Sequence, residues 1–226
     1  MNDKLMPFSA VLFDMDGLVL DTESTYCQAW QQAAARMGHY LSDSFCRSLS
    51  GLHHQAIDAK LQDACGADFD IQAFNRRAGA CWRERVTTDG IPVKPGVAEL
   101  LAYLEARQIP FALATNSRAA NAQECLALAG LAGAFKVLVG RDDVAAGKPS
   151  PDVFLRAAAL LQTPIHACWV LEDSLTGIMA AHSAGAFPVL VPSGSPVETQ
   201  ALALCAMMRP DLSAVLATIR AEFAHR

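Results

Sequence analysis

Residues 9–23 read SAVLFDMDGLVLDTE: an unbroken apolar run, then three aspartates within eight positions, Asp14, Asp16 and Asp21. A strand that is apolar at successive positions, rather than alternately, has both faces covered, as in parallel sheets flanked by helices. The carboxylates at its end repel one another and resist burial, so something positive belongs among them.

The same pattern recurs downstream. Short apolar runs at 9–13, 110–115, 136–140, 167–171 and 187–191 are predicted strands. Helical periods near 97–107, 118–130, 151–162 and 174–184 separate them. A last helix at 211–224 sets Leu212, Val215, Leu216 and Ile219 on one face. Strands alternating with helices give an α/β, doubly wound (Rossmann-like) parallel sheet. In such sheets ligands bind beyond the carboxyl ends of the strands.

Residues 21–90 interrupt this rhythm, and seventy residues are too many for a loop in a compact domain. Tyr26, Ala29, Trp30, Ala33 and Met37 form one helical stripe, closed by Gly38. Ile71, Phe74, Ala78, Cys81 and Trp82 form another. The expected organisation is therefore an α/β core from 1–20 and 91–226, with an all-helical module inserted at 21–90.

Composition narrows the function. Of 226 residues, 52% are hydrophobic and 18% charged, a globular balance rather than a disordered one. A net charge of −5 without a basic patch disfavours nucleic acid as a partner. No apolar run approaches the roughly 18 residues of a membrane span, and the N-terminus lacks a signal peptide's layout. Seven scattered cysteines without a C-x-x-C pair suggest a reduced, cytoplasmic protein. A monomer or weak homo-oligomer is expected.

Four polar clusters follow the strands: Asp14 and Asp16; Thr115, Asn116 and Ser117; Lys148 before PSPD, where Ser150 is placed to cap a helix; and Glu172, Asp173 and Ser174. Those parts fit phosphoryl transfer. Asp14 is ionised at neutral pH and can attack phosphorus. Attack on a phosphate dianion needs cations, which magnesium on Asp14 and Asp173, together with Lys148, would supply. Thr115 and backbone N–H groups at the next helix start would hold phosphate oxygens. Asp16 is placed to protonate the leaving oxygen and then deprotonate water. The rival reading of DMDG as an EF-hand loop fails on spacing, since Gly17 comes too early and Thr25 stands where a glutamate is required.

The chain resembles the haloacid dehalogenase superfamily, in the branch with a helical cap that includes β-phosphoglucomutase and many sugar-phosphate phosphatases. The resemblance spans nearly the whole chain. It rests on DMDGLVLDTE (14–23), LATNS (113–117), GKPSPD (147–152) and LEDS (171–174). It implies Asp14 as nucleophile, and Asp16 as acid/base and carbonyl ligand of the metal. It also implies Thr115, Asn116 and Lys148 on the phosphate, Asp173 on the metal, and Glu172 as ligand or as support for the ligands. The cap is expected to close over a small phosphorylated metabolite and set specificity. His54 (next to His53) and Arg77 are candidates there, by loose alignment with substrate-gripping residues of related mutases.

Hydrolysis is the leading expectation and a β-phosphoglucomutase-like transfer the alternative, because Tyr26 stands where those mutases carry a histidine. Asp16 disfavours a dehalogenase. Lys60, the single cap lysine, looks solvated, which disfavours a phosphonate hydrolase. An inactive metal- or phosphate-binding module would have no evident need for both Asp14 and Asp16.

Overall fold

A computed structural model describes residues 8–49, 54–194 and 196–224, with backbone alone at 54, 55 and 224. The chain divides into two compact units, Met1–Leu20 with Val93–Arg226, and Asp21–Pro92.

The first unit carries six strands: β1 (Ala10–Phe13), β2 (Phe111–Ala114), β3 (Leu138–Val139), β4 (Cys168–Glu172), β5 (Phe187–Leu190) and β6 (Met207–Met208). All pairings are parallel, in the order β3-β2-β1-β4-β5-β6. The α/β, doubly wound reading is thus the observed fold. β1 is buried at every residue because both faces are covered. On one face Ala10, Leu12, Ala112 and Val170 pack with Val153, Phe154 and Ala157 of α7 (Asp152–Leu160) and Ala180 and Ala181 of α8 (Leu175–Ala184). Trp169 instead stacks on Phe187 with centroids 5.3 Å apart and meets Phe8 at a tilt with centroids 4.6 Å apart, and Phe8 meets Phe223 edge-on. Phe223 belongs to the last helix, Leu212–Ala224, whose Leu212, Val215, Leu216 and Ile219 are all buried.

After β1 the chain builds outward through β2 and β3, then returns to β1's other side with β4. The strand order therefore reverses beside β1, the place where open α/β sheets form a crevice. Register fixes what meets there. Phe13 pairs with Leu113 and with Leu171, so the residues just past all three strands converge.

The second unit is helical: α1 (Thr22–Ala35), α2 (Asp43–Arg47), α3 (His54–Cys65) and α4 (Ile71–Asp89). Asp21, Ser42 and Asp70 accept hydrogen bonds from Ser24 N, Phe45 N and Ala73 N, capping α1, α2 and α4. α1 packs on α4: Tyr26 stacks on Trp82 at 5.4 Å, and Trp82 Nε1 donates to Thr25 Oγ1 at 3.0 Å. Ala29, Ala33, Phe74, Ala78 and Cys81 of the two expected stripes are buried. No described helix is long and apolar enough to cross a membrane.

Candidate active site

Asp14 is the first residue beyond β1, and its N–H donates to Leu171 O of β4 at 3.1 Å. Its carboxylate is buried, and Oδ1 accepts from Lys148 Nζ. The same ammonium donates to Glu172 Oε1 at 2.6 Å and lies over the Phe154 ring at 4.8 Å. Lys148 is set by its own backbone: its N–H donates to Asn116 Oδ1 at 2.8 Å, and Asn116 Nδ2 donates to its carbonyl at 3.1 Å. Asn116, an expected phosphate contact, thus has its carboxamide on Lys148's main chain.

Glu172 ends β4 and is fully buried. Its Oε2 accepts from Asp173 N at 3.1 Å, Ser174 N at 3.2 Å and Ser174 Oγ at 3.0 Å. Ser174 also caps α8, accepting from Gly177 N at 3.1 Å. A Cβ on Gly177 would overlap the Glu172 carboxyl group, so this helical position has room for hydrogen alone. Gly17 has the same role for the neighbouring acid. At φ +82° it turns the chain after Asp16, and a Cβ there would collide with Asp173 Oδ2.

Asp16 lies in the turn where Gly17 N donates to Leu20 O at 2.8 Å. Its Oδ2 accepts from Ser117 Oγ at 3.1 Å and, at the limit of hydrogen bonding, from Thr115 Oγ1 at 3.5 Å. Thr115 is fully buried and accepts from Ser117 N at 3.0 Å.

The electrostatics follow from this crowding. Burial pushes the Asp14 carboxyl well above the usual range. Lys148 opposes that shift, while Glu172, Asp173 and Asp16 add to it. Burial disfavours the Lys148 ammonium, but Asp14 and Glu172 more than offset this and raise its pKa.

Carboxylate oxygens of Asp14, Glu172 and Asp173 lie within 4.8 Å of one another. An all-oxygen set on two buried acids and the half-buried Asp173 fits a hard divalent cation such as magnesium, and a second positive charge would offset the like charges that add to the rise at Asp14.

Asp14, Asp16, Thr115, Asn116, Lys148, Glu172 and Asp173 therefore gather at one sheet edge. His54 and Arg77 belong to the Asp21–Pro92 unit. Arg77 is exposed on α4, His54 opens α3 with its side chain outside the described atoms, and His53 lies outside the described residues. Three contributors were given no role from sequence. Ser117 and Ser174 were named only as members of the polar clusters that follow the strands. Gly177 carried a usable signal, since a glycine inside a helical pattern often marks a close approach.

Comparison with known proteins agrees with this geometry. A phosphorylated carbohydrates phosphatase of Thermotoga maritima is 32% identical over 176 residues, covering 78% of this chain and 81% of that protein. A beta-phosphoglucomutase of Bacillus subtilis is 30% identical, covering 83% and 85%. Among solved structures, a HAD family hydrolase of Deinococcus radiodurans with bound phosphate and sodium superposes with a TM-score of 0.80 at 29% identity, covering 96% of this chain and 97% of that one. The family profile of the haloacid dehalogenase-like hydrolases matches residues 8–185, and the chain belongs to that family.

Proposed function

We propose that this phosphoric monoester hydrolase removes the phosphoryl group of a small phosphorylated metabolite, a sugar phosphate or related acid, by transferring it first to Asp14. One observation carries the reading: a buried carboxylate at the switch point of the sheet, held by a lysine that a second buried acid positions. Such a group has no structural need to be an aspartate and is costly to bury unless it reacts.

In this scheme an Asp14 oxygen attacks phosphorus while the ester oxygen leaves with a proton from Asp16. Asp16 then takes a proton from water as that water attacks the acyl phosphate, releasing phosphate and restoring Asp14. Lys148 and Thr115 hold phosphate oxygens. Ser117 orients the Asp16 carboxylate, and Asn116 and Glu172 hold Lys148 in place. Asp14 and Asp173 would hold magnesium with the Asp16 carbonyl, whereas both oxygens of Glu172 are already engaged. Bound there, the ion would supply the positive charge that lets a carboxylate approach a phosphate dianion.

The test is phosphate release across a panel of phosphorylated metabolites, with magnesium or with a chelator, for the wild type and Asp14→Asn. Release is expected only from the wild type with magnesium; undiminished turnover by Asp14→Asn would refute the scheme.

The similarity to a beta-phosphoglucomutase supports a second reading, transfer within a sugar phosphate. Tyr26 stands against it, because a phenol stacked on Trp82 occupies the place where those mutases carry a histidine, the side chain suited to relaying a proton near neutral pH. β-Glucose 1-phosphate with a bisphosphate primer separates the two: free phosphate marks hydrolysis, and glucose 6-phosphate marks transfer.

A further inference from the structure

The hydrolysis scheme makes no use of the cysteines, and two of them meet across a helix pair in the Asp21–Pro92 unit. Cys27 lies in α1 and is half-buried; Cys46 lies in α2 and is fully buried. Each thiol acts on the ionisation of the other, which places them side by side. A separate contact fixes the facing of the helices. Gln31, one turn after Cys27, donates through Nε2 to Asp43 Oδ1 at 2.6 Å and to Leu41 O at 3.3 Å. Asp43 stands one turn before Cys46, so α1 and α2 oppose the same faces at two successive levels, with the sulfurs between them.

The two thiols are unequal. The neighbouring Cys46 holds the Cys27 thiol below its ordinary range against burial and the charges of Glu23 and Asp43, and Arg47 assists. The same pairing, with burial, the Cys27 charge and Asp43, pushes Cys46 far up. Cys27 is thus the more acidic thiol and within reach of solvent, and Cys46 the less acidic one behind it. Elsewhere burial alone raises Cys65, and chiefly burial pushes Cys125 up to about 12 and Cys168 up to about 11. Cys205 is raised by burial as well.

We propose that Cys27 and Cys46 are a reversible redox pair that a hydroperoxide converts to a disulfide joining α1 to α2. The Cys27 thiolate attacks the peroxide; the O–O bond breaks, an S–O bond forms, and with a proton the leaving oxygen departs as water or an alcohol. The Cys46 thiol then displaces hydroxide from the Cys27 sulfenic acid, its proton leaves with that hydroxide as water, and the S–S bond forms. The two thiols lose two electrons in all and the peroxide gains them. A dithiol reductant reverses the change by thiol–disulfide exchange.

Disulfide mapping tests this. Cleavage after Lys4, Arg36 and Arg47 isolates Cys27 in residues 5–36 and Cys46 in residues 37–47. The native protein is treated with near-stoichiometric hydrogen peroxide, blocked with N-ethylmaleimide and digested without reductant. The expected product is the two peptides joined with the loss of two hydrogens, released by dithiothreitol and absent from Cys27→Ser. In Cys46→Ser, dimedone is expected to capture a sulfenic acid at Cys27. If that variant fails to fold, Cys27→Ser decides alone, since its site is only half-buried. Maleimide on both cysteines of the oxidised wild type, over-oxidation of Cys27 without linkage, or a Cys46 disulfide surviving in Cys27→Ser would each overturn the proposal.

Discussion

The ammonium of Lys148 is divided between Asp14 and Glu172, and that division explains why a fully buried acid ends β4. Glu172 spends its second oxygen on two backbone N–H groups and a hydroxyl, so it also fixes the turn that carries Asp173. Gly177 leaves the space that this carboxylate fills. Gly177→Ala should therefore force Glu172 aside, with a stability loss of about 1–3 kcal/mol and a marked fall in kcat, read by urea melts and steady-state assays. The same change at Gly79, a helical site with nothing within 4 Å of an added Cβ, should stabilise by up to about 1 kcal/mol and leave kcat alone. Ser117→Ala removes a hydrogen bond to the Asp16 carboxylate, an interaction of about 1.5–3 kcal/mol. If Asp16 is the leaving-group acid, kcat on alkyl phosphates should fall about tenfold or more, while p-nitrophenyl phosphate, whose leaving group needs little protonation, is barely affected. Equal losses on both substrates would count against that role. Ser117 shows where reading the sequence stops. Thr115, Asn116 and Ser117 all stand out by position, but Ser117's bond to a residue 101 positions away depends on β1 and β2 pairing in register.

Among the elements, those with long or continuous apolar patterns were legible. The run from 9 to 13 marks β1, and the face of Leu212, Val215, Leu216 and Ile219 marks the last helix, because burial on a helix or between layers imposes a period on the residues. Elements too short to show a period were not anticipated: the two-residue β6 at the sheet edge and the five-residue α2. The strand expected over 136–140 is confined to Leu138 and Val139. α7 begins at Asp152 rather than behind a Ser150 cap, because Ser150 Oγ donates to Asp152 Oδ1 at 2.8 Å. In the helical unit, Trp82 Nε1 has its partner in Thr25, which in turn donates to Thr22 O at 2.6 Å. Thr25→Val keeps the shape but leaves that indole N–H buried without an acceptor, so α1 and α4 should lose about 1–3 kcal/mol. Urea unfolding followed at 222 nm reads this; an unchanged midpoint would show that the indole finds another partner.

For the whole molecule, the fold and the carboxylate cluster were readable for one reason. A parallel sheet brings residues far apart in sequence to one edge, and the strand signals say which edge. What the sequence left open was how each group is used: Asn116 and Glu172 serve Lys148, a pairing visible only once three loops lie together. If Asp14 and Asp173 hold magnesium, the ion should stabilise the folded chain by about 2.7 kcal/mol at one hundred times its dissociation constant, raising Tm by several degrees. Asp173→Asn should lose most of that rise, and a chelator should abolish it. The claim on which the account turns is that the phosphoryl group passes through Asp14. It is tested most directly by quenching the enzyme in acid during turnover of p-nitrophenyl phosphate with magnesium, reducing with borohydride, and mapping the peptides by mass. Conversion of residue 14 to homoserine, the reduction product of an aspartyl phosphate, is predicted; unmodified Asp14 during full turnover, or the label at another residue, would contradict it.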